Sequence, residues 1–168
     1  MLDSNKQGLF PYTPPTNMLY GLRESLQMLR EEGLENVFAR HHRHAEATRR
    51  AVKGWGLELL CLNPQEYSSS LTAVLVPPES NADELRQVIL EQFNMSLGNG
   101  LGRVQGKVFR IGHLGDFNDL MLAGTLGGVE MGLVLAGVRH SSGGVAAALE
   151  YLTQMAVGQR QTSEVAQV

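Results

Sequence analysis

The residue whose type and setting best suit chemistry is Arg110. In Val108-Phe109-Arg110-Ile111-Gly112, strand alternation puts Phe109 and Ile111 on one face and Val108, Arg110 and Gly112 on the other. If Phe109 and Ile111 face a core, Arg110 projects from the opposite face, beside a glycine that has no side chain. A guanidinium with open space next to it suits two-pronged binding of a carboxylate or phosphate. A structural ion pair is the competing use of the same residue. The only lysines are Lys6, Lys53 and Lys107. A nucleophilic lysine needs a desolvated pocket or a cationic neighbour. Lys6 falls in a polar opening, Lys53 at a helix end and Lys107 at the start of a strand, so none reads as a nucleophile. Cys61 reads as a small buried hydrophobe, and no serine or cysteine triad is evident. The pattern is a binding arginine without a catalytic group.

Two other clusters invite chemistry and do not hold it. His41 and His44 share a helix face with His42 nearby, but no cysteine or carboxylate completes the four ligands of a structural zinc site. The three read as a solvated cationic face. Gly98-Asn99-Gly100-Leu101-Gly102 has the look of a dinucleotide loop, yet that motif must run from a strand into a helix, and here it precedes a strand. It reads as a turn whose glycines adopt positive φ.

The elements that must position Arg110 follow from the pattern around it. Residues 8–16 are too rich in proline for helix. Thr16 or Asn17 then caps a helix to about Glu32, with Leu19, Leu22, Leu26 and Leu29 in one apolar stripe. Gly33 interrupts, and a second helix runs from about Leu34 to Lys53, ended by Gly54 as a C-cap, with Arg40, Arg43, Glu46, Arg49 and Arg50 on its wet side. Strands are expected at Leu57–Leu62, Leu71–Val76 and Lys107–Ile111. Asn81 caps a helix through Phe93, and Asp116 caps a long apolar helix. Its Gly124, Gly127, Gly128 and Gly132 imply that something packs close against it. A weaker helix at Val145–Met155 precedes a polar tail expected to fray. This order predicts an α+β fold, a small antiparallel sheet with helices packed on one face.

Composition narrows the class. The chain has 168 residues, 43% hydrophobic and 18% charged, which suits one globular domain rather than disorder. A net charge of −3 gives no basic footprint for nucleic acid. One cysteine allows no intrachain disulfide and fits a reduced, cytoplasmic setting, and the opening residues lack the apolar region of a secretory signal. Leu120–Val138 could pass for a membrane span but for Glu130 near its middle, so it reads as a buried helix.

Several motifs in order, Phe10-Pro11-Tyr12-Thr13-Pro14, Leu19-Tyr20-Gly21-Leu22-Arg23, Glu32-Gly33-Leu34-Glu35-Asn36-Val37 and above all the run from Gly106 to Gly115, resemble the C-terminal part of the class-V aminotransferases. Within them the serine–glyoxylate aminotransferases are most similar, and the alanine–glyoxylate enzymes are a step further off. The resemblance implies fold type I, pyridoxal phosphate as cofactor, a homodimer, and amino transfer from serine or alanine to glyoxylate. It implies that Arg110 grips the α-carboxylate of amino acid and 2-oxo acid substrates. Thr13 matches the threonine that reaches the cofactor phosphate of the other subunit. Some relatives add a tyrosine three residues earlier; Phe10 stands there, and Tyr12 is the nearby hydroxyl. By the same resemblance, residues 1–32 are the end of the large cofactor-binding domain, 33–157 the small C-terminal domain and 158–168 a polar tail. The lysine that anchors the cofactor belongs to the large domain upstream of Phe10, so the chain reads as a fragment that is inactive alone. A stand-alone carboxylate-binding or regulatory module, or a partner docking on a separate large domain, are the other readings.

Overall fold

The computed structural model describes residues 2–165. The chain divides into two compact units, Met1–Ala39 and Arg40–Val168.

In the first unit a short helix α1 (Leu2–Lys6), absent from the sequence expectation, precedes an irregular stretch and helix α2 (Thr16–Glu32). The helix begins without the expected side-chain cap: Pro15 is its N-cap, and no side chain caps it. Two prolines already hold the chain in a turn, with the Thr16 amide donating to the Pro14 carbonyl at 2.9 Å. The Leu19, Leu22 and Leu26 stripe forms as expected, yet all three are exposed and α2 has no buried residue. Gly33, at φ +82°, ends the helix as only glycine does comfortably.

The second unit is built on four antiparallel strands in the order β1-β2-β4-β3: β1 (Glu58–Leu59), β2 (Leu71–Leu75), β3 (Gly98–Asn99) and β4 (Val108–Gly112). Register pairs Val74 with Phe109 and Thr72 with Ile111, so these four share one face. One buried core joins that face to Ala47 and Ala51 of α3 (Leu34–Gly54) and Trp55 just after it, Leu85 and Ile89 of α4 (Ala82–Phe93), Leu122, Leu126, Val129 and Leu133 of α5 (Asp119–Leu135), and Ala148 and Leu152 of α6 (Gly144–Val165). The expected α+β architecture, helices on one face of a small antiparallel sheet, is the one observed.

Several boundaries differ for local reasons. Asn81 caps α4 as expected, its side chain accepting from the Asp83 amide, but α5 is capped by Asn118, not Asp116. The turn that ends α3 uses Gly56, at φ +71°: its amide bonds Lys53 O, and the Leu57 amide reaches back to Val52 O. Gly54 is instead required by packing, because a Cβ there would lie 2.8 Å from the Gly144 Cα. The glycines of α5 split in the same way. Gly128 and Gly132 face side chains of Met95 and Ile89, whereas nothing lies within 4 Å of Gly124 or Gly127. Nor is α5 buried all round, since Leu120, Met131 and Val134 are exposed. α6 continues to Val165 rather than stopping at Met155, because no proline follows to break it. Residues 166–168 of the expected polar tail lie outside the described residues.

Candidate carboxylate-binding site

Arg110 leaves β4 on the face away from the core, as alternation predicts. Phe109 and Ile111 are fully buried and Arg110 is half-buried. Its direct cross-strand partners are Ala73 on β2 and Gly98 on β3, both small. The Nε–H donates to the backbone carbonyl of Asn99 at 2.8 Å. No carboxylate pairs with Arg110 among the described residues, so the alternative of a structural ion pair is not realised. With Nε engaged, the Nη1/Nη2 edge remains: two parallel donors spaced for the two oxygens of one carboxylate.

The room beside this guanidinium has a different source from the one expected. A Cβ on Gly112 would meet Leu114 Cδ2 at 3.3 Å, so that flank is covered. Gly98 makes the space. The Gly98–Gly102 segment is therefore not a simple turn of left-handed glycines. Gly98 is part of β3, and only Gly102 of the three glycines has positive φ, at +54°. Nothing in the local pattern revealed this, because the Gly98–Arg110 pairing is a matter of register between distant segments.

The loop that leaves β4 and the start of α5 are held by polar groups of α3 and of the loop itself. Arg40 Nη1 donates to the carbonyls of Gly115 (2.8 Å) and Phe117 (3.0 Å). Asp119 accepts from Arg43 Nη2 at 2.9 Å and pairs with His44 Nε2 at 2.7 Å. His44 is fully buried and its ring meets Phe117 edge-on, so the solvated-face reading fails for it, while His42 is exposed. Arg43 and Arg49 are likewise mostly covered, with side chains 17% and 14% exposed. His113, also fully buried, bonds Thr72 Oγ1 at 2.9 Å across β2. Burial pushes its imidazole down to about 4, with His44 and Arg49 adding to the effect against carbonyl bonds that oppose it. Burial also lowers His44, against the bond from Asp119. Both imidazoles thus favour the neutral form; His113 ties the loop that follows Arg110 to β2, and His44 ties α3 to the start of α5.

Other candidates stand apart. Thr13, Tyr12 and Phe10 lie exposed in the irregular stretch of the first unit. Lys6, Lys53 and Lys107 are all exposed, so none sits in the desolvated pocket that an activated lysine needs. Cys61 is only partly buried, because β1 ends before reaching it; its thiol donates to the Asn63 carbonyl at 3.5 Å. Among the described residues no cluster of three or more His, Cys, Asp or Glu could hold a metal ion, and no helix is long and apolar enough to cross a membrane.

No protein-family model matches the chain. It is 50% identical over 151 residues to a serine–glyoxylate aminotransferase of Methylorubrum extorquens, which covers 89% of this chain and 38% of the relative. It is 46% identical over 146 residues to an L-aspartate–glyoxylate aminotransferase of Paracoccus denitrificans, covering 86% of this chain and 37% of the relative. The crystal structure of a pyridoxamine–pyruvate aminotransferase from Mesorhizobium loti superposes with a TM-score of 0.80 at 31% identity, over 86% of this chain and 38% of that one. The chain thus spans less than two-fifths of the length of these relatives. A four-stranded antiparallel sheet with helices on one face, matched by these structures, defines the C-terminal portion of a fold type I aminotransferase. The chain belongs to the class-V aminotransferase family and is similar in sequence to its serine–glyoxylate members.

Proposed function

We propose that this chain serves amino transfer from serine or alanine to glyoxylate, with Arg110 holding the α-carboxylate of the amino acid and of the 2-oxo acid. The observation that carries this reading is the Arg110 guanidinium, anchored through Nε and unpaired on its other edge. Pyridoxal phosphate, where bound, supplies the electron sink for such chemistry. Toward its phosphate the chain offers the exposed Thr13 hydroxyl, with Tyr12 beside it. The three exposed lysines do not fit the anchoring role, so the described residues bind and orient substrate but do not hold the cofactor covalently. Residues 1–32 then belong to the end of the large domain, 33–157 to the small domain and 158–168 to a polar tail. The assembly is a homodimer or a pairing with a large-domain partner, and the setting cytoplasmic.

A second reading is favoured by one observation, that Arg40–Val168 has a core of its own. On that reading the unit is a stand-alone carboxylate-binding or regulatory module.

Two experiments test these readings. Borohydride reduction of the chain with pyridoxal phosphate, followed by peptide mass spectrometry, should show no stoichiometric adduct on any one lysine. A single full-occupancy adduct overturns the claim that this chain cannot hold the cofactor covalently. Titration of the labelled chain with glyoxylate by NMR should move the Arg110 side-chain resonance. Arg110→Ala should weaken binding by about 2–3 kcal/mol, the worth of a charge-assisted pair. Equal affinity in the variant refutes the carboxylate role.

A further inference from the structure

We infer that Gly98 and the Asn99 carbonyl form a platform that sets the direction of the Arg110 fork, making Gly98 a positioning residue for carboxylate recognition. This rests on the carboxylate reading of Arg110.

An arginine beside a sheet edge can rise off the sheet into water or lie flat along it. β3 is the edge strand, only two residues long, and Gly98 stands directly opposite Arg110 on the same face. The three nearest atoms to a Cβ built on Gly98 all belong to Arg110: its Cβ and Nε at 3.0 Å and its Cζ at 3.4 Å. These contacts run from the root of the side chain to the guanidinium carbon. Rotation about one bond therefore clears some of them and not the others. A Cβ at position 98 therefore presses on the arginine along its length, and the side chain must give by a few tenths of an ångström.

Next along β3, the Asn99 carbonyl takes the Nε–H at 2.8 Å. A guanidinium can grip a carboxylate side-on, through Nε and one Nη, or end-on, through both Nη groups. Here the side-on edge is spent on the backbone, so the end-on edge faces the ligand. The plane and the approach direction are both set before a ligand arrives, which reduces the ordering cost of binding. Since the acceptor is a main-chain atom, the side chain of Asn99 takes no part in this.

The test compares Gly98→Ala and Arg110→Ala with the unaltered chain, using glyoxylate as the probe. Binding is followed by NMR, and folding by Trp55 fluorescence on thermal melting. Gly98→Ala should remain folded, shift the Arg110 Nε–H resonance and bind glyoxylate at least tenfold more weakly. If Arg110→Ala abolishes binding while Gly98→Ala leaves it unchanged, the positioning role is wrong and the carboxylate site stands. If Arg110→Ala binds as well as the unaltered chain, or the unaltered chain does not respond to glyoxylate, both fall together. Should Gly98→Ala fail to fold, the unaltered chain decides. A slowly exchanging Arg110 Nε–H coupled to the Asn99 carbonyl supports the platform, and a freely exchanging one overturns it.

Discussion

Leu22 in α2 and Phe109 in β4 both sit where the periodicity of their elements marks an inward position, and their fates are opposite. Leu22 is 55% exposed and Phe109 is not exposed at all. In Met1–Ala39 the one buried described residue is Val37; Arg40–Val168 holds a continuous core from Ala47 to Leu152. An apolar stripe therefore shows that a helix has a face to bury, and leaves open whether its own unit supplies the cover. The second unit does, because a sheet face and four helices converge on it. Association would supply it for the first, which is what the docking and dimer readings require.

The largest expected effect tests this contrast directly. Phe109→Ala should cost about 3–5 kcal/mol by urea denaturation, whereas Leu22→Ala should change stability by no more than about 0.5 kcal/mol. Comparable losses at the two sites would break the comparison. Next comes acid. His113 is held neutral in the folded chain, down to about 4, while an unfolded histidine takes its proton near 6.5. Its contribution is therefore present above pH ~6.5 and fades as the pH falls toward about 4, by up to ~3 kcal/mol. Urea midpoints should fall over that window and fall less in His113→Asn; parallel curves would refute the assignment. The smallest effects sharpen the comparison within one helix. Gly132→Ala presses on Ile89 and should cost about 1–3 kcal/mol, whereas Gly124→Ala, with nothing within 4 Å, should gain about 1 kcal/mol. Thermal melts that rank them the other way would place the close packing on the wrong side of α5.

Much of the fold was legible because it is local. Periodicity marked α2, α3 and α4, a cap residue marked the start of α4, and Pro77-Pro78 ended β2 where β propensity ran out. The misses share one cause. Gly54 and Gly56 look alike in sequence, but one meets Gly144 while the other turns the chain. His44 shares a basic helix with exposed His42, and only the packing of Phe117 and Asp119 makes it a buried anchor. β3 is two residues long, too short for alternation to mark it.

For the site, alternation in Val108–Gly112 was enough to aim Arg110 away from the core, and the motif around it was enough to show the family. Alternation has a period of two and needs no partner. Which residue lies beside the guanidinium, and which edge of it stays free, depended on the register between β3 and β4. That register is set by the chain's return across residues 100–107, so only the tertiary structure could decide it.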